Sequence, residues 1–271
     1  MLNLIKADLY KLFRSKSFYI CGIISVAMIL ISAVTLELVS SFDFGAFAGE
    51  IEGMEQISGF FNDVTAFTFP TFAIVSNGFY IVFGIAFALF ATADFSTGTI
   101  KCTVSKGFER WKVFASKAVV TGICGAILIG STIISAFVFG AIFFGFEGTT
   151  AAIVLGFLGF LGLQILLIFA FSFFVTMVSF LFRGVGATIA VSVCAIGFWQ
   201  VICSGLNWLL AVLLNIDTKI ENYTSVFANS VQVATINPAS NDVIRSILVA
   251  IGFIAISSFI SIITFNKRDI K

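Results

Sequence analysis

The chain contains no histidine, two prolines among 271 residues, and only 11% charged residues. Without imidazole, His-ligated metals, His-based catalytic triads and His proton relays are excluded. A soluble domain carries about 25% charged and about 45–50% apolar residues. Here 59% are apolar, 35 residues are phenylalanine and the mean hydropathy is +1.12. So apolar a chain cannot cover its surface with polar groups in water, which makes it an integral membrane protein. Catalytic signatures are missing as well. No GxxxxGK[ST], HExxH or GxSxG pattern occurs, so the chain binds no ATP through a Walker loop.

Five cysteines are present, but Cys21, Cys124, Cys194 and Cys203 lie inside apolar runs and Cys102 lies in a basic stretch. No two fall together in an outward loop, so reduced thiols are expected rather than a disulfide framework. No cleavable signal peptide is expected, because the first apolar run spans rather than ending at a small-residue cleavage site.

Crossing about 30 Å of hydrocarbon takes about 20 helical residues. Charge-free runs supply that length six times, approximately at 17–36, 67–93, 118–146, 152–182, 184–214 and 246–266. They lack the polar–apolar alternation of barrel strands. The expectation is a single all-α transmembrane domain over 1–271 with six transmembrane helices. An even number of spans puts both termini on one side. That side would hold Lys6, Lys11, Arg14, Lys16, Lys101, Lys106, Arg110, Lys112, Lys117, Arg183, Lys267, Arg268 and Lys271, against Lys219 and Arg245 on the other. The positive charges make it the cytoplasmic side. The outward segment 37–63 carries six acids and no Lys or Arg.

Three further segments stand out. Residues 2–16 place Leu2, Ile5, Leu9, Leu12 and Phe13 on one helical stripe, with Lys6, Lys11 and Arg14 off it. That pattern predicts an amphipathic interfacial helix. In 94–117, Ile100, Val104, Phe108, Trp111 and Ala115 recur at near-helical spacing among basic residues, and Gly107 is expected to divide the loop into two short helices. Residues 215–245, with Asn237-Pro238 as a breaker, read as an outer re-entrant or surface-lying hairpin before span six.

The hydrocarbon depths hold no Asp, Glu, Lys or Arg. Ion-coupled carriers usually need such groups at mid-membrane, so energy for any uphill movement is expected from a partner. The main polar residues in the spans are Asn77, Gln164, Gln200 and Asn207. They are candidate pathway residues, although interhelical hydrogen bonding explains each of them more simply. Gly122, Ala126 and Gly130 form a small-residue ridge that could admit another helix.

The segment Asp94-Phe95-Ser96-Thr97-Gly98-Thr99-Ile100-Lys101, followed by Ser105, Arg110 and Lys117, resembles the first cytoplasmic loop of type-2 ABC transporter permeases. There an acidic residue ends span two, a Gly-Thr pair opens a coupling helix, and an Arg and a Lys precede span three. The opening Leu4-Ile5-Lys6-Ala7-Asp8-Leu9-Tyr10-Lys11-Leu12-Phe13-Arg14-Ser15-Lys16 resembles the family's N-terminal connecting helix. The likeness covers the whole layout, with two departures. Asp94 stands where Glu is more usual, and Lys106-Gly107-Phe108-Glu109 replaces a Pro- and Ser-containing turn.

The resemblance implies a non-catalytic permease subunit in a bacterial cytoplasmic membrane. It implies two ABC ATPase partners that bind ATP and Mg, a second permease subunit, identical or homologous, and contact with lipid but not nucleic acid. The coupling residues it points to are Asp94, Gly98, Thr99, Ile100, Lys101, Ser105, Arg110 and Arg183. No cofactor or metal is expected in this chain. The apolar spans suit a hydrophobic or amphipathic cargo, foremost an antimicrobial or toxin-like peptide in export or immunity, ahead of lipid or drug. Two alternatives remain open: a stand-alone channel or carrier, and a non-transporting immunity protein that binds cationic peptides through its acidic outer loop.

Overall fold

A computed structural model describes residues 2–41, 64–75, 78–105, 107–146, 150–214 and 220–267. Every regular element among them is an α-helix, and six helices are long and apolar enough to cross a membrane. The protein is a multi-pass membrane protein.

Helix α1 (Leu2–Arg14) turns its stripe only partly inward. Leu12 is buried, with Ile5 and Leu9 packed beside it, whereas Leu2 and Phe13 are exposed. Ser15 separates α1 from α2 (Lys16–Ser41), and its Oγ accepts from the Phe18 N–H at 3.3 Å, an N-cap bond. Within the expected second span, 67–93, the described residues form α3 (Phe69–Val75) and α4 (Gly78–Ser96). Pro70 sits in the first turn of α3, where its missing N–H costs nothing.

The basic stretch is organised differently from the expected loop with two short helices. One short helix, α5 (Thr99–Ser105), precedes α6 (Arg110–Phe143), which runs unbroken for 34 residues. Arg110, Lys112 and Lys117 therefore belong to the third spanning helix rather than to a linker. Helices α7 (Ala151–Phe182) and α8 (Val185–Leu214) match the expected fourth and fifth spans to within a residue. Two short helices follow, α9 (Glu221–Thr224) and α10 (Val226–Gln232). The final span, α11 (Ser240–Lys267), begins six residues earlier than the charge of Arg245 suggests.

Helices α4 and α7 are the most enclosed spans, and α8 and α11 the least. Helix α7 carries α6 and α11 against it, α2 lies on α6, α8 lies on α4, and α10 packs on α7 and α11. Phenylalanine fills this core edge to face. Tyr80 meets Phe171 at 5.6 Å and Phe227 at 5.4 Å between ring centroids, tying α4, α7 and α10 together. Such pairs add about 0.5–1.5 kcal/mol each beyond their burial. The small-residue ridge is used at one end only. A Cβ at Gly122 would overlap the Phe169 ring, whereas nothing lies within 4 Å of one at Gly130. The acidic segment lies, from residue 42 to 63, outside the described residues, as does Asn77.

Candidate functional site

At the end of the bundle that carries α1, four charged side chains from three helices converge. Lys117 of α6 donates to Asp94 Oδ2 at 2.7 Å, and Lys11 of α1 donates to Asp94 Oδ1 at 3.0 Å. Both ammonium groups also stand 3.9 Å from Asp8 Oδ1, and Ser116 Oγ donates to Asp8 Oδ2 at 3.0 Å. Lys117 lies 4.1 Å from the centroid of the Phe90 ring. Two carboxylates thus balance two ammonium groups in a largely dry setting, where unpaired charge would be costly. The cavity of about 80 Å³ beside them is far smaller than a ligand pocket of about 300–1,000 Å³. The arrangement is a joint between helices and not a binding cleft.

The joint reaches α5 through Thr99, whose Oγ1 donates to Asp94 Oδ1 at 2.9 Å. The next residue, Ile100, is buried among Phe114, Ala118, Phe173 and Phe180. One polar and one apolar anchor therefore hold the first turn of α5 to α4, α6 and α7. Gly98 and Gly107, with φ of +69° and +85°, flank the helix. Neither would meet anything within 4 Å if given a Cβ, so glycine serves these positions through its left-handed backbone rather than its size. Just beyond, Glu109 accepts from Lys112 at 3.0 Å and from the Trp111 indole, and these bonds hold its carboxyl below the usual range.

A family model described as a protein of unknown function, DUF2705, matches residues 26–271. The chain belongs to the DUF2705 family. No curated protein matches it. The part of this DUF2705 protein that matches contains Asp94, Thr99, Ser116 and Lys117, while Asp8 and Lys11 precede it.

Of the residues singled out in the sequence, Asp94, Thr99 and Ile100 meet at the joint, and Gly98 forms the hinge between them. Lys101 lies in α5, with its side chain outside the described residues, and Ser105 is exposed at the C-terminal end of that helix. Arg110 opens α6, half-buried. Arg183 ends α7 in a left-handed conformation with φ 57°, its N–H donating to the Ser179 carbonyl at 2.8 Å, three residues after the Phe180 that packs on Ile100.

The two polar span side chains that are described have separate partners. Gln164 donates to the Ser230 carbonyl at 2.8 Å, and Asn207 Oδ1 accepts from the Ile220 N–H at 2.9 Å. Each pins a span to the segment between α8 and α11. The Gln200 side chain lies outside the described residues.

Sequence reasoning missed Asp8, Lys11 and Ser116 as members of the joint. Asp8 carried a signal, since it sits three residues after Ile5 and four before Leu12, on the apolar face of α1. It also missed Asn229, buried at the opposite end. Asn229 donates to the Asn222 and Ser225 carbonyls at 2.7 and 2.8 Å and accepts from Ser246 Oγ at 3.0 Å.

Proposed function

We propose that this chain is the permease subunit of an ATP-driven exporter of the type-2 ABC kind, carrying a hydrophobic or amphipathic cargo. A peptide in an export or immunity system is the leading cargo class. In this reading the α1 end faces the cytoplasm, as the excess of Lys and Arg there requires. Helix α1 lies under the inner leaflet, and α9–α10 forms the outer re-entrant hairpin. Two such permeases, identical or homologous, would enclose the pathway in a bacterial cytoplasmic membrane. Two separate ATPase subunits would hold ATP and Mg and grip α5, α1 and the turn at 182–184.

One observation carries the proposal: the ion-paired joint that fastens α5 to the ends of three long helices. A seven-residue helix between two left-handed glycines is a poor structural element by itself, yet its first turn is bonded to Asp94. Asp94 is bonded in turn to Lys117 and Lys11. Force applied to α5 would therefore move α4, α6 and α1 as one body, a rigid-body switch driven from outside the membrane. The sequence has no Walker loop, so in this reading the energy comes from the partner ATPases.

The test is a tagged pull-down in mild detergent with stoichiometry by mass spectrometry. An ABC ATPase recovered one-to-one is the expected result. Gly98→Pro and Arg110→Glu should leave membrane insertion intact and abolish that recovery. Normal recovery with both variants removes α5 as the coupling element. No ATPase with the unaltered chain, repeated in a second mild detergent, overturns the transport reading and favours peptide sequestration by the acidic segment 37–63.

A further inference from the structure

At the opposite end of the bundle, a groove of about 690 Å³ runs between α8 and α11 beneath α9. That volume lies within the range of small-molecule sites. The groove is chemically divided along its length. Tyr223, Asn241 and Arg245 line one end, and Leu248, Phe253 and Ile256 line the other. Ile244, Leu248, Gly252 and Ile256 recur every fourth residue, so the α11 wall is straight and about 18 Å long at about 1.5 Å per residue. Gly252 keeps the middle clear, with nothing within 4 Å of where a Cβ would stand. The two flanking helices are the least enclosed spans, so the groove opens where lipid would lie.

Arg245 sets the polar end. One side of its guanidinium is used, by Asp242 at 2.8 Å and by Gln232 Oε1. Its Nε is buried and has no hydrogen-bond partner among the described residues. The guanidinium carbon lies 5.7 Å from the Tyr223 ring, and Trp199 donates to Thr224 Oγ1 at 3.3 Å. Half-exposed Trp and Tyr beside a cation are the furniture of a membrane–water boundary.

We propose that this groove is a binding site for one membrane lipid with an anionic headgroup. A phosphate oxygen accepts from Arg245, and an acyl chain lies over Gly252. The charge logic selects this occupant. An apolar helix of a second copy would cover the walls but bring no acceptor to the guanidinium, at the desolvation cost of a charged group. A phosphate oxygen satisfies the donor, and guanidinium–phosphate geometry suits it. The site is independent of the transport reading, because it uses neither α5 nor the ion-paired joint.

The test is native mass spectrometry of the full chain with added phosphatidylglycerol or phosphatidylcholine of identical acyl chains. One phosphatidylglycerol per chain should be retained, with about tenfold preference, because both lipids offer a phosphate oxygen but only phosphatidylcholine also brings a cationic choline beside Arg245. Arg245→Gln should erase the headgroup preference while some lipid of either kind remains. Gly252→Leu, which fills the groove without touching the ion pair, should remove both. Lys112→Gln, which deletes a basic residue at the other end, should change nothing.

Equal preference in the unaltered chain and Arg245→Gln overturns the proposal, as does unchanged retention in Gly252→Leu. Two further results also overturn it. Loss of a dimer in Gly252→Leu spectra would mean that a second copy covers the groove, and full competition by inorganic phosphate would mean a free-anion site.

Discussion

Replacing Lys117 by Met separates the ion-paired joint from ordinary surface charge. Methionine keeps most of the side chain's apolar volume and removes only the ammonium. Lys117 and its acidic partners are well shielded, with side-chain exposures of 4% for Lys117, 9% for Asp8 and 14% for Asp94. Lys11, at 47%, is half in water. Removing Lys117 leaves two carboxylates with one half-exposed cation. Breaking such a buried pair costs about 3–5 kcal/mol. That is a large part of the stability of about 5–15 kcal/mol typical of a folded domain.

Lys112 pairs with exposed Glu109 at a similar 3.0 Å, yet Lys112→Met should cost no more than about 1 kcal/mol, because solvent screens that pair. The decisive measurement is a double-mutant cycle. Asp94→Asn together with Lys117→Met leaves Asp8 and Lys11 balanced and keeps an acceptor for Thr99, so the double variant should recover about 2 kcal/mol relative to the sum. Detergent-micelle unfolding followed by helical circular dichroism gives all four values. Strict additivity, or a Lys117→Met loss as small as that of Lys112→Met, would refute the claim that the joint is energetically one unit.

Two further substitutions test the backbone. Gly98→Val should destabilise by about 1–2 kcal/mol and Gly98→Asn by clearly less, since Asn tolerates the left-handed region; equal losses would point to crowding instead of φ. In α7, a Cβ at Gly156 would overlap the Ile236 carbonyl oxygen whereas one at Gly159 meets nothing within 4 Å, so Gly156→Ala should cost about 1–3 kcal/mol and Gly159→Ala should be neutral or better in the same unfolding assay.

The spanning helices were legible because lipid imposes one simple requirement, a long apolar run, which survives any detail of packing. Their ends were less legible for an equally physical reason. Charges such as Arg110, Lys112 and Arg245 suggest where a span should stop, but a charge can lie within the helix when a partner neutralises it. Lys117 does so through Asp94, and Arg245 through Asp242.

The joint was half legible. Asp94, Thr99 and Lys117 lie within one stretch of 24 residues, and a local pattern can suggest them. Asp8 and Ser116 meet across 108 positions, and only the packing of α1 on α6 brings them together. Asn229 illustrates the same limit. Its partners come from α9, the residue that caps α10, and α11, and one polar residue in an apolar stretch does not reveal which neighbours will receive it.

That sequence separation has a consequence for biogenesis. Helix α1 is synthesised well before α6, so Asp8 has Lys11 of its own helix beside it but lacks Ser116 and Lys117 until α6 is made. At about 5–20 residues per second, the wait is roughly 5–20 s. During it, α1 is too short and too charged to span and stays an amphipathic interfacial helix. Only when α6 has emerged can α1 seat. A helix made before α6 is thus secured only after it, and its seating reports that the chain has been inserted as far as α6.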